Sequence, residues 1–124
     1  MKQTLQVRQR LGKLGENIAS LYLQKKGFRI LERNFKRHYG EIDIIALDGK
    51  VLVFVEVKTR IGLLFGTPQE AVTPRKLHEV VQTAQFYKSL HEEFPESLRI
   101  DVVAILLHGD ESLQSLQYIP NVTG

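Results

Sequence analysis

The sequence predicts a mixed α/β domain, one β-sheet with helices packed on it. Three observations carry that expectation. An N-terminal stretch repeats its apolar residues at helical spacing, two β-rich runs flank an Asp48-Gly49 turn signal, and a continuous apolar run follows a second helical stretch. The chain of 124 residues has no repeat, low-complexity tract or linker-like segment, so residues 1–124 are expected to form a single domain around one core.

From about Arg8 to Lys26 the apolar residues Leu11, Leu14, Ile18, Leu21 and Tyr22 follow helical spacing, and Gly27 then supplies a stop. Phe28 to Phe35 reads as a first strand with imperfect alternation. The runs Glu41 to Leu47 and Val51 to Lys58 form a hairpin, because Asp-Gly accepts the positive φ of a tight turn. A glycine-bearing loop is expected from Thr59 to Val72, with Leu63, Leu64 and Phe65 packed under it. Thr73-Pro74 caps and starts a second helix, whose buried stripe is Leu77, Val80, Val81, Ala84 and Tyr87. Ile100 to Leu107 is apolar except for Asp101 and suits a strand buried on both faces; Leu116 to Ile119 makes a short last one. The order is helix, three strands, helix, two strands.

The chain has no cysteine, which excludes disulfides, thiolate zinc sites and cysteine nucleophiles. Any metal must be held by oxygen or imidazole. The N-terminal residues lack the apolar stretch of a secretory signal and no apolar run is long enough to span a bilayer, so a cytoplasmic protein with no membrane partner is expected. The formal charge of +3 is unevenly spread: residues 1–40 hold ten Lys and Arg against two Glu, and residues 41–124 hold seven against twelve acids. The basic first part points to a polyanionic partner such as nucleic acid.

A two-residue turn at Asp48-Gly49 pairs Leu47 with Lys50, Asp43 with Phe54 and Glu41 with Glu56. One face of the hairpin then carries Ile42, Ile44, Ala46, Val51, Val53, Val55 and Val57 and is core. The other carries Glu41, Asp43, Glu56 and Lys58 at the end away from the turn. Opposite and diagonal neighbours lie roughly 5–8 Å apart, near enough for Asp43 and Glu56 to bind one ion. Carboxylates crowded in an apolar hairpin repel each other unless something positive sits among them. Hard oxygen ligands favour Mg²⁺ or Mn²⁺ over zinc. The competing reading is a wet salt bridge, with Lys58 neutralising Glu56 or Glu41, although one lysine cannot balance three carboxylates.

An acid followed about a dozen residues later by Glu-Val-Lys within a hairpin resembles the PD-(D/E)xK restriction-endonuclease-like superfamily. Gly15-Glu16, Arg33-Asn34, Gly40-Glu41-Ile42-Asp43, Phe54-Val55-Glu56-Val57-Lys58-Thr59-Arg60 and Arg99-Ile100-Asp101-Val102-Val103 together resemble the YraN-like family of small bacterial proteins. That resemblance implies a fold similar to archaeal Holliday-junction resolvases, a restriction-endonuclease-like mixed sheet flanked by helices. It makes Asp43 and Glu56 metal ligands, Lys58 the catalytic lysine and Glu16 an additional ligand from the helix. Ile42 stands where the superfamily has its proline, which is not a ligand. Glu41 has no assured role there and could support the ligands from behind.

The expectation is Mg²⁺-dependent hydrolysis of DNA, at branched or otherwise irregular structures. A non-catalytic nucleic-acid-binding or adaptor protein on the same fold is the rival. Arg33, Lys36, Arg37 and Arg60 flank the hairpin and Lys76 opens the second helix; these are candidates for phosphate contacts. Symmetric cutting of a junction would call for a homodimer. Asp101 reads as structural, paired with Arg99.

Overall fold

A computed structural model describes residues 4–38, 40–62 and 72–123. The elements follow in the expected order: α1 (Leu5–Lys25), β1 (Arg29–Arg37), β2 (Gly40–Asp48), β3 (Val51–Ile61), α2 (Pro74–Leu90), β4 (Leu98–Leu107) and β5 (Leu113–Ile119). The five strands form one mixed sheet in chain order, antiparallel except for the parallel β3–β4 pair, which α2 connects. This is the mixed α/β sheet flanked by helices that the apolar patterning predicts.

Both helices start on a threonine cap. The Thr4 hydroxyl accepts from the Val7 N–H at 3.1 Å, and that of Thr73 from the Lys76 N–H at 3.2 Å, with Pro74 in the first turn. Gly27, at φ 96°, ends α1: its N–H bonds to the Gln24 carbonyl and that of Phe28 to the Leu23 carbonyl, and both Leu23 and Phe28 are buried.

The sheet divides the interior into two apolar layers rather than one core. Leu11, Ala19 and Leu23 of α1 pack with Ile44, Ala46, Val53, Val55, Val57, Val103 and Ile105. On the opposite face Val80, Ala84 and Tyr87 of α2 pack with Phe35, Ile42, Ile45, Leu52, Phe54 and Ile100. Covering both faces explains why β3 and β4 read as continuous apolar runs.

The structure corrects several boundaries. β3 continues through Thr59 to Ile61 because β4 pairs with it that far, so those residues are strand and not loop. α1 begins three residues earlier than expected, at its Thr4 cap, β1 runs on to Arg37, and β5 starts at Leu113. The imperfect alternation of β1 is a register shift between Ile30 and Glu32. Leu63, Leu64 and Phe65 lie outside the described residues.

The hairpin register also differs. Asp48 pairs with Val51, Leu47 with Leu52 and Ile44 with Val55, so the turn is centred on Gly49-Lys50. Gly49, at φ 59°, takes the first central position, where a two-residue turn needs positive φ. Asp48 stays in the strand, and its carboxylate accepts from Arg99 at 3.2 Å. Partners shift by two places, an even number, so alternation keeps the faces of most side chains. Ile42 is the exception: it packs with Phe35 in the α2 layer, whereas Ile44 lies in the α1 layer.

Candidate metal and phosphodiester site

Regular alternation would put Ile42 and Ile44 on one face, so the strand is irregular at Asp43 between them. There the β2–β3 ladder stops: Ile44–Val55 is its last pair, and one step further brings Asp43 beside Glu56. Asp43 Oδ2 accepts the Val57 N–H at 2.8 Å, taking with a side chain the bond that a backbone carbonyl would take in a continued ladder. Across the sheet Asn34 adopts φ 57°, a left-handed conformation that asparagine tolerates better than most residues. The sheet is thus opened at one end, and Asp43 stands in the opening.

Glu56 is 3% exposed. Its Oε1 lies 3.1 Å from Lys58 Nζ and 3.9 Å from Lys76 Nζ, while Oε2 is buried with no hydrogen-bond partner. Burial pushes the Asp43 carboxyl up to about 8; the charges of Glu56, Glu16 and Glu41 push the same way, against the Val57 hydrogen bond.

Glu16 reaches this group from α1. The neighbouring Gly15 faces β3 so closely that a Cβ there would stand 1.8 Å from Thr59 Oγ1 and 3.0 Å from Thr59 Cβ. Turning the hydroxyl away would not free the space, so only glycine lets α1 approach here. Burial raises the Glu16 carboxyl, opposed by hydrogen bonds from Asn34 and Arg33 and by the Arg33 charge, and reinforced by Glu41. Arg33 Nη2 lies 3.5 Å from Glu16 Oε1. Arg33, partly exposed, is thus also paired with an acid of the candidate site.

The other basic candidates divide. Lys36 and Arg37 are exposed on the edge strand β1, opposite Glu41 and Gly40, and the Arg37 guanidinium lies over the Phe35 ring. Arg60, at the far end of β3, donates to the Thr59 carbonyl. Lys36, Arg37, Lys58, Arg60 and the α2 residues Arg75 and Lys76 all belong to the sheet end that holds the carboxylates; the Gly49-Lys50 turn lies at the other. Sequence reasoning placed Lys76 among phosphate contacts and missed its approach to Glu56, because that depends on how α2 docks. It named Asn34 only within a resemblance and missed its left-handed backbone, although an asparagine inside a basic, poorly alternating strand is a signal for a backbone irregularity.

Among the described residues, no three His, Asp or Glu side chains form a ready-made cage for an ion. Mg²⁺ does not require one: it is commonly held by one or two carboxylates, with water completing the shell. Asp43 and Glu56 fit that demand on two counts. The unpartnered, buried Oε2 of Glu56 is a hard oxygen without a donor, and the mutual repulsion of the acids is what a cation would relieve.

The chain matches the uncharacterised protein family UPF0102 over residues 15–105, a span that includes Glu16, Asp43, Glu56, Lys58 and Lys76. Proteins named for that family are similar over most of their length. One from Clostridium botulinum strain Loch Maree is 45% identical over 114 residues, 90% of this chain and 91% of its own. One from Syntrophomonas wolfei is 50% identical over 103 residues, 82% and 89%. One from Trichlorobacter lovleyi is 46% identical over 114 residues, 91% and 89%. Among solved structures, a repair endonuclease from Pyrococcus abyssi is similar at 24% identity and a TM-score of 0.36, across 73% of this chain and 35% of that one. No described helix is long and apolar enough to cross a membrane. On the extent of the family match and of these relatives, the chain belongs to the UPF0102 family.

Proposed function

We propose that this protein is a Mg²⁺- or Mn²⁺-dependent nuclease that hydrolyses phosphodiester bonds in DNA, with branched or irregular DNA as its substrate class. One observation carries the reading: Glu56 is buried with a free oxygen beside Asp43, and Lys58 stands 3.1 Å from its other oxygen. A salt bridge alone would leave Asp43 and Glu16 as half-buried acids, with the Glu16 charge adding to the cost of ionising Asp43.

Asp43 and Glu56, with Glu16 assisting, would hold the cation, whose charge polarises the phosphate ester and acidifies the attacking water. Lys58 orients that water for in-line attack and offsets charge developing on the phosphoryl oxygens. Glu56 keeps the Lys58 ammonium in place, and the Val57 N–H fixes the Asp43 carboxylate. Arg33 and Asn34 hold Glu16, with Glu41 behind the cluster. Lys36, Arg37 and Arg60 contact phosphates along the duplex, positioning it without reading sequence.

The test is incubation of purified protein with nicked, flapped, four-way and single-stranded DNA, in Mg²⁺ or Mn²⁺ and with chelator. Metal-dependent cutting is expected, falling at least about a hundredfold in Asp43→Ala and Glu56→Ala. Full activity in either variant would sink the mechanism, and tight binding without cutting would favour an adaptor protein instead.

A further inference from the structure

Two lysines converge on one oxygen of Glu56, and they reach it differently. Lys58 belongs to the same strand, two residues on, so its place is set by the sheet. Lys76 comes from the first turn of α2, on a separate element, and stands further off at 3.9 Å with its side chain 31% exposed. α2 is seated over this end of the sheet: Glu79 and Thr83 lie against Gly40, where a Cβ would come within 3.6 Å of Glu79 Cβ. Both ammonium groups approach Oε1, and Oε2 is left without a partner.

We propose that Lys76 is a displaceable counter-ion of the candidate site: it holds the Glu56 carboxylate in the metal-free protein, competes there with a divalent cation, and turns to a nucleic-acid phosphate once the cation is bound. The inference rests on the nuclease reading and adds a residue to it. Without metal, the acids Asp43, Glu56, Glu16 and Glu41 act on one another, and Lys76 supplies positive charge that Arg33 and Lys58 do not fully provide. A divalent cation on Glu56 reverses the field at the Lys76 ammonium from attraction to repulsion. A long, partly solvated side chain at a helix N-terminus can then swing to the nearest anion, which in the complex is the phosphate backbone.

The affinity of the full chain for Mn²⁺ alone, measured by calorimetry without DNA, tests the competition. Lys76→Met is expected to bind Mn²⁺ about three- to fivefold more tightly than the wild type, the scale of one partly exposed ion pair. Lys76→Arg should return to the wild-type value, and Lys50→Met, at the opposite end of the sheet, should not differ from it. In Ca²⁺, binding of a four-way DNA junction by Lys76→Met should be weaker, with its salt dependence reduced by about one phosphate contact. Mn²⁺ uptake by the wild type with equal or weaker uptake by Lys76→Met would overturn this inference and leave the nuclease reading standing. No Mn²⁺ uptake by any form would overturn both. Circular dichroism and thermal melting of each variant identify a folding defect, and weaker uptake by a folded Lys76→Met counts against the proposal.

Discussion

Two regions of this sheet bury carboxylates, and they treat them in opposite ways. Asp101, at the start of β4, is completely buried and meets a donor on every side: Arg99 Nε at 2.9 Å and Nη2 at 3.0 Å, the Tyr118 hydroxyl, and the Asn121 N–H at 2.9 Å. Arg99 is itself held by Asp48, and its pKa is raised by the Asp101 hydrogen bond, with the Asp101 charge and the Asp48 hydrogen bond adding to it. One register step away on the neighbouring strand, where Asp101 pairs with Val55 and Val102 with Glu56, Glu56 keeps an unpartnered oxygen, and Asp43 is crowded by three acids. Burial is common to both regions. What differs is whether the charge has been met, and only the unmet one calls for a ligand.

The largest expected effect tests the satisfied side. Asp101→Ala removes a fully buried carboxylate and leaves the half-buried Arg99 guanidinium without its main partner, and should lower stability by about 3–5 kcal/mol in urea titrations. A loss below about 1 kcal/mol would mean that the network holds nothing together. Tyr118→Phe removes a single donor to the same carboxylate; about 1.5–3 kcal/mol is expected, the range for hydrogen bonds to a charged group.

The smallest effect has the opposite sign. Asp43→Asn can still accept the Val57 N–H but carries no charge, so in metal-free buffer near pH 8 it should gain about 1–2 kcal/mol over the wild type. The pH dependence follows from the same shift. The Asp43 carboxyl lies at about 8 in the folded chain and near about 3.9 when unfolded. Folding therefore takes up a proton between these values, and the contribution of Asp43 to stability, fully present below about pH 4, is lost as the pH rises through 8. Thermal melts from pH 4 to 8 should show a fall in chelator that flattens in Asp43→Asn and shrinks in Mg²⁺. An identical slope in the variant would mean that Asp43 is not the group responsible.

The element order and the Thr73 cap of α2 were legible because periodicity and Thr-Pro spacing are local, whereas the Thr4 cap of α1, preceding the apolar stripe, was not read. The company of Asp43 and Glu56 was legible too, and survived a wrong hairpin register because an error of two places preserves which face a side chain takes. The shift itself was hidden, since it depends on Asp48 staying in the strand to meet Arg99 from β4. Ile42 changed layers because the ladder ends at Asp43, and nothing in an alternating run announces where a side chain replaces a carbonyl. Arg33 met Glu16 and Lys76 reached Glu56 through the docking of helices, a tertiary event that spacing along the chain does not record.

The parallel pairing of β3 and β4 orders these events in time. The β2–β3 hairpin closes across two residues, whereas the parallel ladder joins Leu52 to Leu98 and must wait for α2 and its connections to be gathered in. The repelling acids on β2 and β3 are therefore set side by side by the fast, local step, and Lys76 arrives only with the slow one. Until then the nascent hairpin has only Lys58 of β3 to offset its acids, and the non-local closure of the sheet is the step at which α2 adds Lys76.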